Sequence, residues 1–375
     1  MVVTSAVSIR LLASRTLNQL RCWISYALSL FGVVRVRHLP TFVSVEPANF
    51  CQLRCPECPV GARSERTGGA LQDGPEVLQD GGRASYRREA KGERLPMNLF
   101  HRILDVVKDS AHTMQFYFQG EPLLNKQLPE MIAMAHQVGL YTIVSTNAQA
   151  LNQSTAEALV KSGLKRIIVS IDGFSEESYT AYRVGGSLQK ALEGLQHLHQ
   201  AKAALHSRIR IELQVLRLKT NEHEWGWIRK NYKKLGATHL VFKTAQLYDF
   251  ENGHPLMPSD ERYSRYRKTK DGKYVHKASP KSSPEGKDFI TSLFSLPFRE
   301  GSGVGLCYRL WSGCVITTNG DVLPCCYDKD QRHAYGNITQ HSLAELYHST
   351  KANALRRRVL LNNGEPLEMC KNCNK

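Results

Sequence analysis

A chain of 375 residues, 42% hydrophobic and 22% charged, is too long for a small disulfide-stapled scaffold and too apolar for a disordered segment, and admits one large core plus a smaller domain or two to three domains. Its formal net charge of +16 raises a nucleic-acid reading, but no stripe of basic residues interleaved with stacking aromatics accompanies it, which argues against nucleic acid as a partner. Much of the excess lies in two polar stretches, 62–94 and 262–287, which read as solvated insertions with at most a mild attraction for anionic membrane, acidic substrate or RNA.

The first 45 residues carry five arginines and no acidic residue. Leu17, Leu20, Ile24, Leu28 and Phe31 recur at spacings of three and four, the mark of an amphipathic helix, read here over residues 5–34. Its uncharged run, 22–34, is too short to span a bilayer, and no small-x-small cleavage pattern follows. The helix either packs on the rest of the protein or lies on the inner membrane face with Arg10, Arg15, Arg21, Arg35 and Arg37 toward lipid phosphates.

Residues 41–46 are a β-branched and aromatic run that reads as a strand, and Cys51-Gln-Leu-Arg-Cys55-Pro-Glu-Cys58 follows directly. The spacing C-x3-C-x2-C sets three thiolates around one tight loop at a strand's carboxyl end, where α/β barrels keep their chemistry. Three thiolates suit a 4Fe-4S cube with one iron open to a reacting ligand, and a fourth would close it. A partial zinc site is the alternative on spacing alone. Of the ten cysteines, Cys22 stands alone and reads as buried or interfacial; the others form two groups separated by about 250 residues without cysteine. Clustered cysteines in a long chain favour metal ligation by reduced thiols, and hence a cytoplasmic location.

Beyond the loop, strand candidates at 115–118, 141–145, 167–171, 208–216 and 239–243 alternate with helical patterns at 98–108, 128–138, 154–162, 188–202 and 222–235. Ser154 and Asn221 are N-cap candidates, and Gly139, Gly163 and Gly236 follow helices as left-handed closing residues. Six β/α repeats in about 200 residues predict an α/β fold, a parallel sheet curled into a partial (β/α)6 TIM-type barrel, with a doubly wound open sheet as the alternative. Residues 246–303 read as a linker with a short helical piece at 288–294. Near the C-terminus, 315–317 and 322–323 flank Thr318-Asn319-Gly320-Asp321, a hairpin signal, and 342–358 is helical with Ser342 and Glu345 as a capping box.

Polar groups recur at the carboxyl ends of successive strand candidates. Gln119-Gly120-Glu121-Pro122 follows the second, Ser145-Thr146-Asn147 ends the third, and Ser170-Ile171-Asp172-Gly173 ends the fourth. Arg183 precedes a Gly-rich bend, where a guanidinium can pair with a carboxylate. Lys243, Asp249 and Glu251 lie near the exit of the last strand and could face a substrate.

Taken together, Cys51-x3-Cys55-x2-Cys58, the Gly120-Glu121-Pro122 loop, Ser170 to Gly173 and Arg183 resemble the radical S-adenosylmethionine superfamily over about residues 41–245. The resemblance implies that the three cysteines bind a 4Fe-4S cluster whose open iron is chelated by the methionine group of S-adenosylmethionine. It further implies that Gln119, Gly120, Glu121 and Pro122 form the loop contacting the amino group, that Ser170 and Arg183 hold the carboxylate with Asp172 beside them, and that Thr146 and Asn147 line the ribose or methionine side. Glu57 departs from the pattern, since the residue before the third cysteine is often aromatic or apolar.

The C-terminal cysteines are similar to the SPASM, or twitch-like, auxiliary cluster domain. Six remain of the seven in a full SPASM domain, so the resemblance implies a shortened version with one auxiliary 4Fe-4S cluster held by Cys307, Cys325 or Cys326, Cys370 and Cys373, with Cys314 as a spare or a substitute. A zinc ribbon is the alternative, because C-x2-C pairs suit tetrahedral zinc equally well. Four segments are expected: an N-terminal basic helix (1–40), a radical core (41–245), the linker (246–303) and a cysteine-rich domain (304–375). The implied activity is reductive cleavage of S-adenosylmethionine to a 5'-deoxyadenosyl radical, fed by a flavodoxin- or ferredoxin-type donor. That radical abstracts hydrogen from a substrate, first a peptide or protein side chain and alternatively a small or envelope metabolite. A non-catalytic RNA-binding metal protein is the reading from another class. The catalytic acid or base is not legible.

Overall fold

The computed structural model describes residues 6–61, 92–277, 307–361, 367–370 and 373. Most of the 62–94 stretch and the helical piece expected at 288–294 lie outside them.

Helix α1 (Ala6–Leu30) precedes β1 (Phe42–Val45). Then come α2 (Met97–Val107), β2 (Thr113–Phe116), α3 (Leu128–Gln137), β3 (Tyr141–Thr146), α4 (Gln153–Lys161) and β4 (Arg166–Ser170). The short α5 (Glu176–Thr180), α6 (Leu188–Ala204), β5 (Arg210–Arg217), α7 (Trp225–Asn231) and β6 (His239–Thr244) complete the repeats. Strands β1 to β6 are parallel and neighbour one another in chain order. A doubly wound sheet reverses its order at a switch point; here it never reverses, so right-handed crossovers place all the helices on one face, as in a barrel.

The side-chain period of two then sorts the strands into a dry and a wet face. Val43, Val45, Met114, Phe116, Val144, Ile167, Val169, Ile211, Leu213 and Val215 pack in one core with Phe100, Ile103, Met131, Ile132, Leu159, Leu195 and Leu198 of the helices. Each such burial contributes about 1.5–3 kcal/mol. The alternate positions Ser44, Gln115, Arg166, Ser170, Glu212, Gln214 and Lys243 fall on the concave face.

The C-terminal segment joins the same sheet. After the turn α8 (Arg309–Ser312), β9 (Gly313–Ile316) pairs parallel with β1, and β10 (Asp321–Leu323) and β11 (Gly336–Asn337) follow antiparallel, giving nine strands in the order β11-β10-β9-β1-β2-β3-β4-β5-β6. The expected hairpin is therefore present, with Gly320 at φ +86° in its turn. The helical reading of 342–358 resolves into α9 (Leu343–His348), opened by the Ser342/Glu345 capping box, and α10 (Thr350–Leu361).

Gly139, Gly163 and Gly236 adopt positive φ as expected. The caps differ. Asn152, two residues ahead of Ser154, accepts from Thr155 N and caps α4, because the extended backbone at Asn152 aims its side-chain oxygen at the N–H of the third helical residue, whereas Ser154 already lies within the helix. Asn221 sits inside a 3-10 turn (Lys219–Glu224), where its side chain holds Leu218 N and the carbonyls of Asp172 and Leu216. Beyond β6, residues 245–277 are ordered: β7 (Tyr266–Lys268) and β8 (Tyr274–His276) form a hairpin.

α1 is fastened through its polar side. Arg15 donates to the carbonyls of Lys108, Gly139 and Val138 at the carboxyl ends of α2 and α3, where a cation also meets the helix dipoles. Asn18 bonds Leu39 and Ser110. Cys22 is fully buried, with its thiol against Tyr308 and the Trp311 carbonyl.

His38 joins this junction, its ring between the Ser25 hydroxyl at 3.3 Å and the Trp311 carbonyl at 2.7 Å. Burial lowers its pKa from 6.5 to about 4 against the pull of that carbonyl. The unfolded chain therefore takes up the proton first, so stability is intact above about pH 6.5 and falls as the pH drops toward 4. Denaturant unfolding should show wild type losing about 2–3 kcal/mol more than His38→Gln between neutral pH and about pH 4.5.

Candidate active site

The cysteine loop leaves β1 and lies across the carboxyl ends of the first four strands. Cys58 N donates to Cys55 O at 3.1 Å, and Arg54 N to Val184 O at 2.9 Å, which ties the loop to the bend after α5. Leu53 N (3.4 Å) and Asn147 Nδ2 (3.3 Å) donate to Cys51 Sγ, and Arg183 Nη1 lies 3.8 Å from Cys55 Sγ. Burial nevertheless raises Cys51 to about 12, reinforced by Glu121 and the other two thiols, and raises Cys55 despite Arg183. Burial thus disfavours the thiolate at Cys51 and Cys55, and a bound cation's charge is what favours it. Among the described residues no three His, Cys, Asp or Glu side chains are grouped so that they could hold a metal ion. The loop spacing, the thiol chemistry and the N–H groups aimed at sulfur suit an iron-sulfur cluster.

Gly120 is at φ +65°, and a Cβ there would overlap the Ala48 carbonyl and the Phe50 backbone, so only glycine lets the two loops approach. Glu121 N donates to Phe50 O at 2.9 Å. The Glu121 carboxylate is buried and accepts from Thr146 Oγ1 (2.7 Å), Asn147 N (2.8 Å) and Leu123 N (3.1 Å). Desolvation raises its pKa, and the three donors oppose that rise. Pro122 opens the turn (Pro122–Leu124) behind it. Gln119 donates to the Lys329 carbonyl at 2.7 Å, toward the C-terminal segment. Gln52 Nε2 reaches Asn147 Oδ1 at 3.3 Å, a contact with no sequence signal.

Asp172 is fully buried and receives Arg183 Nε at 2.8 Å and Nη2 at 2.6 Å, with Leu216 N at 2.6 Å on its other oxygen. Burial opposes the charge on Arg183, and the neighbouring Asp172 outweighs that, holding its pKa well above the ordinary guanidinium value. Arg183 thus spends one edge on Asp172 and turns Nη1 toward the cysteine loop. Ser170 Oγ accepts from Gln214 at 3.5 Å on the concave face. The structure therefore gathers Glu121, Thr146, Asn147, Asp172 and Arg183 around the thiol loop.

Glu57, the departure from the family pattern, is a clamp. Its carboxylate accepts from Tyr248 N at 2.9 Å and pairs with His254 at 3.2 Å. It holds the 245–257 segment over the loop, where Leu53, Cys55, Tyr182, Leu218, Leu247, Leu256, Met257 and Tyr266 form a satellite apolar cluster. Periodicity in 245–277 is weak, so the sequence carried no sign of this cover.

On the concave face, Glu212 is fully buried and pairs with Arg166 at 2.7 Å and Arg210 at 3.1 Å. Lys243 stands near them: burial lowers its pKa, Glu212 pulls it up, and Arg166 and Arg265 push it down. Tyr117, raised to about 12 by burial, feels Arg166, Cys326, Arg309 and Glu212. Cations outnumber carboxylates here, and the field of this face reaches Cys326. Asp249 and Glu251 are solvent-exposed.

Among the C-terminal thiols, Cys370 is raised to about 12 by burial, then by Cys307 and Cys373. Cys325 is raised first by its hydrogen bond to Cys326 and then by burial, with Cys307 also contributing. Cys307 thus bears electrostatically on both Cys325 and Cys370. Cys314 points instead into the core from β9, and burial raises it to about 12.

Because the fully buried Asp172 takes both Nε and Nη2 of Arg183, Asp172→Asn should destabilise the fold by about 3 kcal/mol, read as a lowered midpoint in denaturant unfolding.

Residues 45–209 match the radical SAM superfamily, and residues 307–374 match SPASM, an iron-sulfur cluster-binding domain. The Fe-coproporphyrin III synthase of Methanosarcina barkeri is 23% identical over 271 residues, 65% of this chain and 64% of that protein. The PqqA peptide cyclase of Granulibacter bethesdensis is 26% identical over 227 residues, 60% of this chain and 52% of that protein. The chain thus spans about half to two thirds of the length of these curated relatives. Streptococcus suis SuiB bound to S-adenosylmethionine superposes with a TM-score of 0.57 at 15% identity, over 88% of this chain and 71% of that one. The anSMEcpe structure with bound AdoMet gives 0.54 at 17%, over 89% and 83%. At such identities the likeness is one of fold. With three cysteines on the rim of a sequential parallel sheet and a second thiol group joined to that sheet through β9, the chain belongs to the radical S-adenosylmethionine superfamily and carries a SPASM domain.

Proposed function

We propose that this protein cleaves S-adenosylmethionine reductively and removes hydrogen from a peptide or protein side chain lying on the concave face of its sheet. Cys51, Cys55 and Cys58 would hold the cluster that binds S-adenosylmethionine. Cys307, one of Cys325 and Cys326, Cys370 and Cys373 would hold the auxiliary one. When bound there, the first cluster would supply, from a flavodoxin- or ferredoxin-type donor, the electron for reductive cleavage of S-adenosylmethionine. The protein's own part is placement: Gly120 admits the cofactor close to backbone, Ser170 and the free edge of Arg183 face its carboxylate, and Thr146 and Asn147 line its side. Leu53, Leu247, Leu256 and Met257 exclude water from the loop.

The observation that carries this reading is the set of polar side chains on the concave face beside the cysteine rim, with Arg166, Lys243 and Tyr117 whose electrostatics reach Cys326. A substrate laid there would lie between the two thiol groups. The PqqA peptide cyclase relative, and a SuiB structure described as bound to precursor peptide SuiA (TM-score 0.56), support a peptide. The excess of cations points to one with a carboxylate near the reacting residue. The same cations favour a second reading, a carboxylate-bearing tetrapyrrole, in line with the Fe-coproporphyrin III synthase relative.

Anaerobic reconstitution with S-adenosylmethionine and dithionite, followed by mass spectrometry, tests both. Replacing Cys51, Cys55 and Cys58 together by Ala should abolish 5'-deoxyadenosine, and persisting cleavage would overturn the assignment. Substrate-dependent product with acidic peptides supports the first reading, and product with coproporphyrin only supports the second. For either substrate, Lys243→Met should raise KM about threefold with little change in kcat, the loss of one exposed cation beside the substrate carboxylate.

A further inference from the structure

Helix α1 is turned inside out. At about 100° per residue, its protein-facing side carries Arg15, Asn18, Cys22, Ser25 and Ser29, all buried, most of them polar. The opposite arc, about 160° wide by the same geometry, is nearly all apolar and faces outward. Ile9 is 70% exposed, Leu12 60%, Leu17 47%, Leu20 48%, Ile24 50% and Leu28 44%, and Phe31 just beyond the helix is 73% exposed. An amphipathic helix that serves only its own fold buries its apolar stripe. This one is held in the reverse orientation by specific bonds: three from Arg15 to helix-end carbonyls and two from Asn18.

The charge around the stripe says what covers it. Arg10 and Arg21 border one edge of the arc, Arg35 and Arg37 follow the helix, all four are exposed, and no acidic residue occurs before Glu46. A second copy of this chain would bring the same arginines against themselves. Among the described residues no helix is long and apolar enough to cross a membrane. We propose that α1 is a membrane-docking surface that lies in the interface of an anionic bilayer, its apolar arc among the acyl chains and its arginines at lipid phosphates. Because Arg15 grips the carboxyl ends of α2 and α3, α1 sits at the amino-terminal end of the strands. Docking would hold the cysteine rim on the far side, facing water.

Flotation of the full chain with vesicles tests this independently of catalysis. Wild type should float with vesicles of phosphatidylcholine and phosphatidylglycerol and at least tenfold less with phosphatidylcholine alone. Leu20→Asp with Ile24→Asp should lower the bound fraction at least tenfold, while Leu205→Asp, on an exposed apolar residue elsewhere, leaves it unchanged. The denaturant unfolding midpoint of the double variant should match wild type, which shows that the fold persists. The proposal is overturned if wild type does not float with anionic vesicles or floats equally with neutral ones. It fails as well if the double variant binds as well as wild type, or if size-exclusion chromatography shows a dimer that the double variant splits.

Discussion

The rim of the sheet hangs on a buried carboxylate. Glu121 would be costly to desolvate without partners, and it finds three, from Thr146, Asn147 and its own turn. Its backbone N–H meanwhile holds Phe50, the residue before the first cysteine of the loop. One residue after β2 thereby fixes the loop after β1 and the end of β3. Asn147, positioned in this way, turns its amide to the Cys51 sulfur. Gly120 makes the approach sterically feasible, and Asp172 with Arg183 repeats the device one strand further on, from β4 to the Cys55 sulfur.

Around that rim the sheet separates two environments. Sequential crossovers put every helix on one face, so apolar side chains collect there and the other face is left to Ser44, Gln115, Arg166, Glu212 and Lys243. The concave side is thus polar by topology, since no helix ever arrives to cover it. The β9–β1 pairing brings the C-terminal thiols to the border of this face. Gln119 bonding the Lys329 carbonyl and Arg265 reaching the Tyr327 hydroxyl close the gap between the two parts.

Two covers of opposite character complete the molecule. Over the cysteine loop, Glu57 fastens an apolar flap by hydrogen bonds, and a dry cover there lets electrostatic contacts act at low dielectric. At the other end of the strands, α1 presents polar groups inward and apolar ones outward. Arg15 and Asn18 satisfy carbonyls at helix and strand ends that would otherwise face water.

Local spacing carried much of this protein's identity. Three cysteines within eight residues, strand-ending polar tetrapeptides and the C-terminal thiol pattern are contiguous features, and their order along the chain matches the order of the strands. The six repeats were legible because each element announces itself by its own periodicity, and three of the helices by a closing glycine. The Asn152 cap and the split of 342–358 into two helices were not, since a one- or two-residue shift in cap geometry leaves the apolar pattern unchanged. Contacts between distant segments were invisible for a more basic reason: Glu57 with His254, Arg166 with Glu212, and β9 with β1 are separated by some 45 to 270 residues, and no local rule pairs them. The sequence likewise revealed that α1 is amphipathic but not which side meets the protein. Periodicity measures only the angle between polar and apolar faces; the direction in which the helix turns them was decided by where Arg15 and Asn18 found carbonyls to bind.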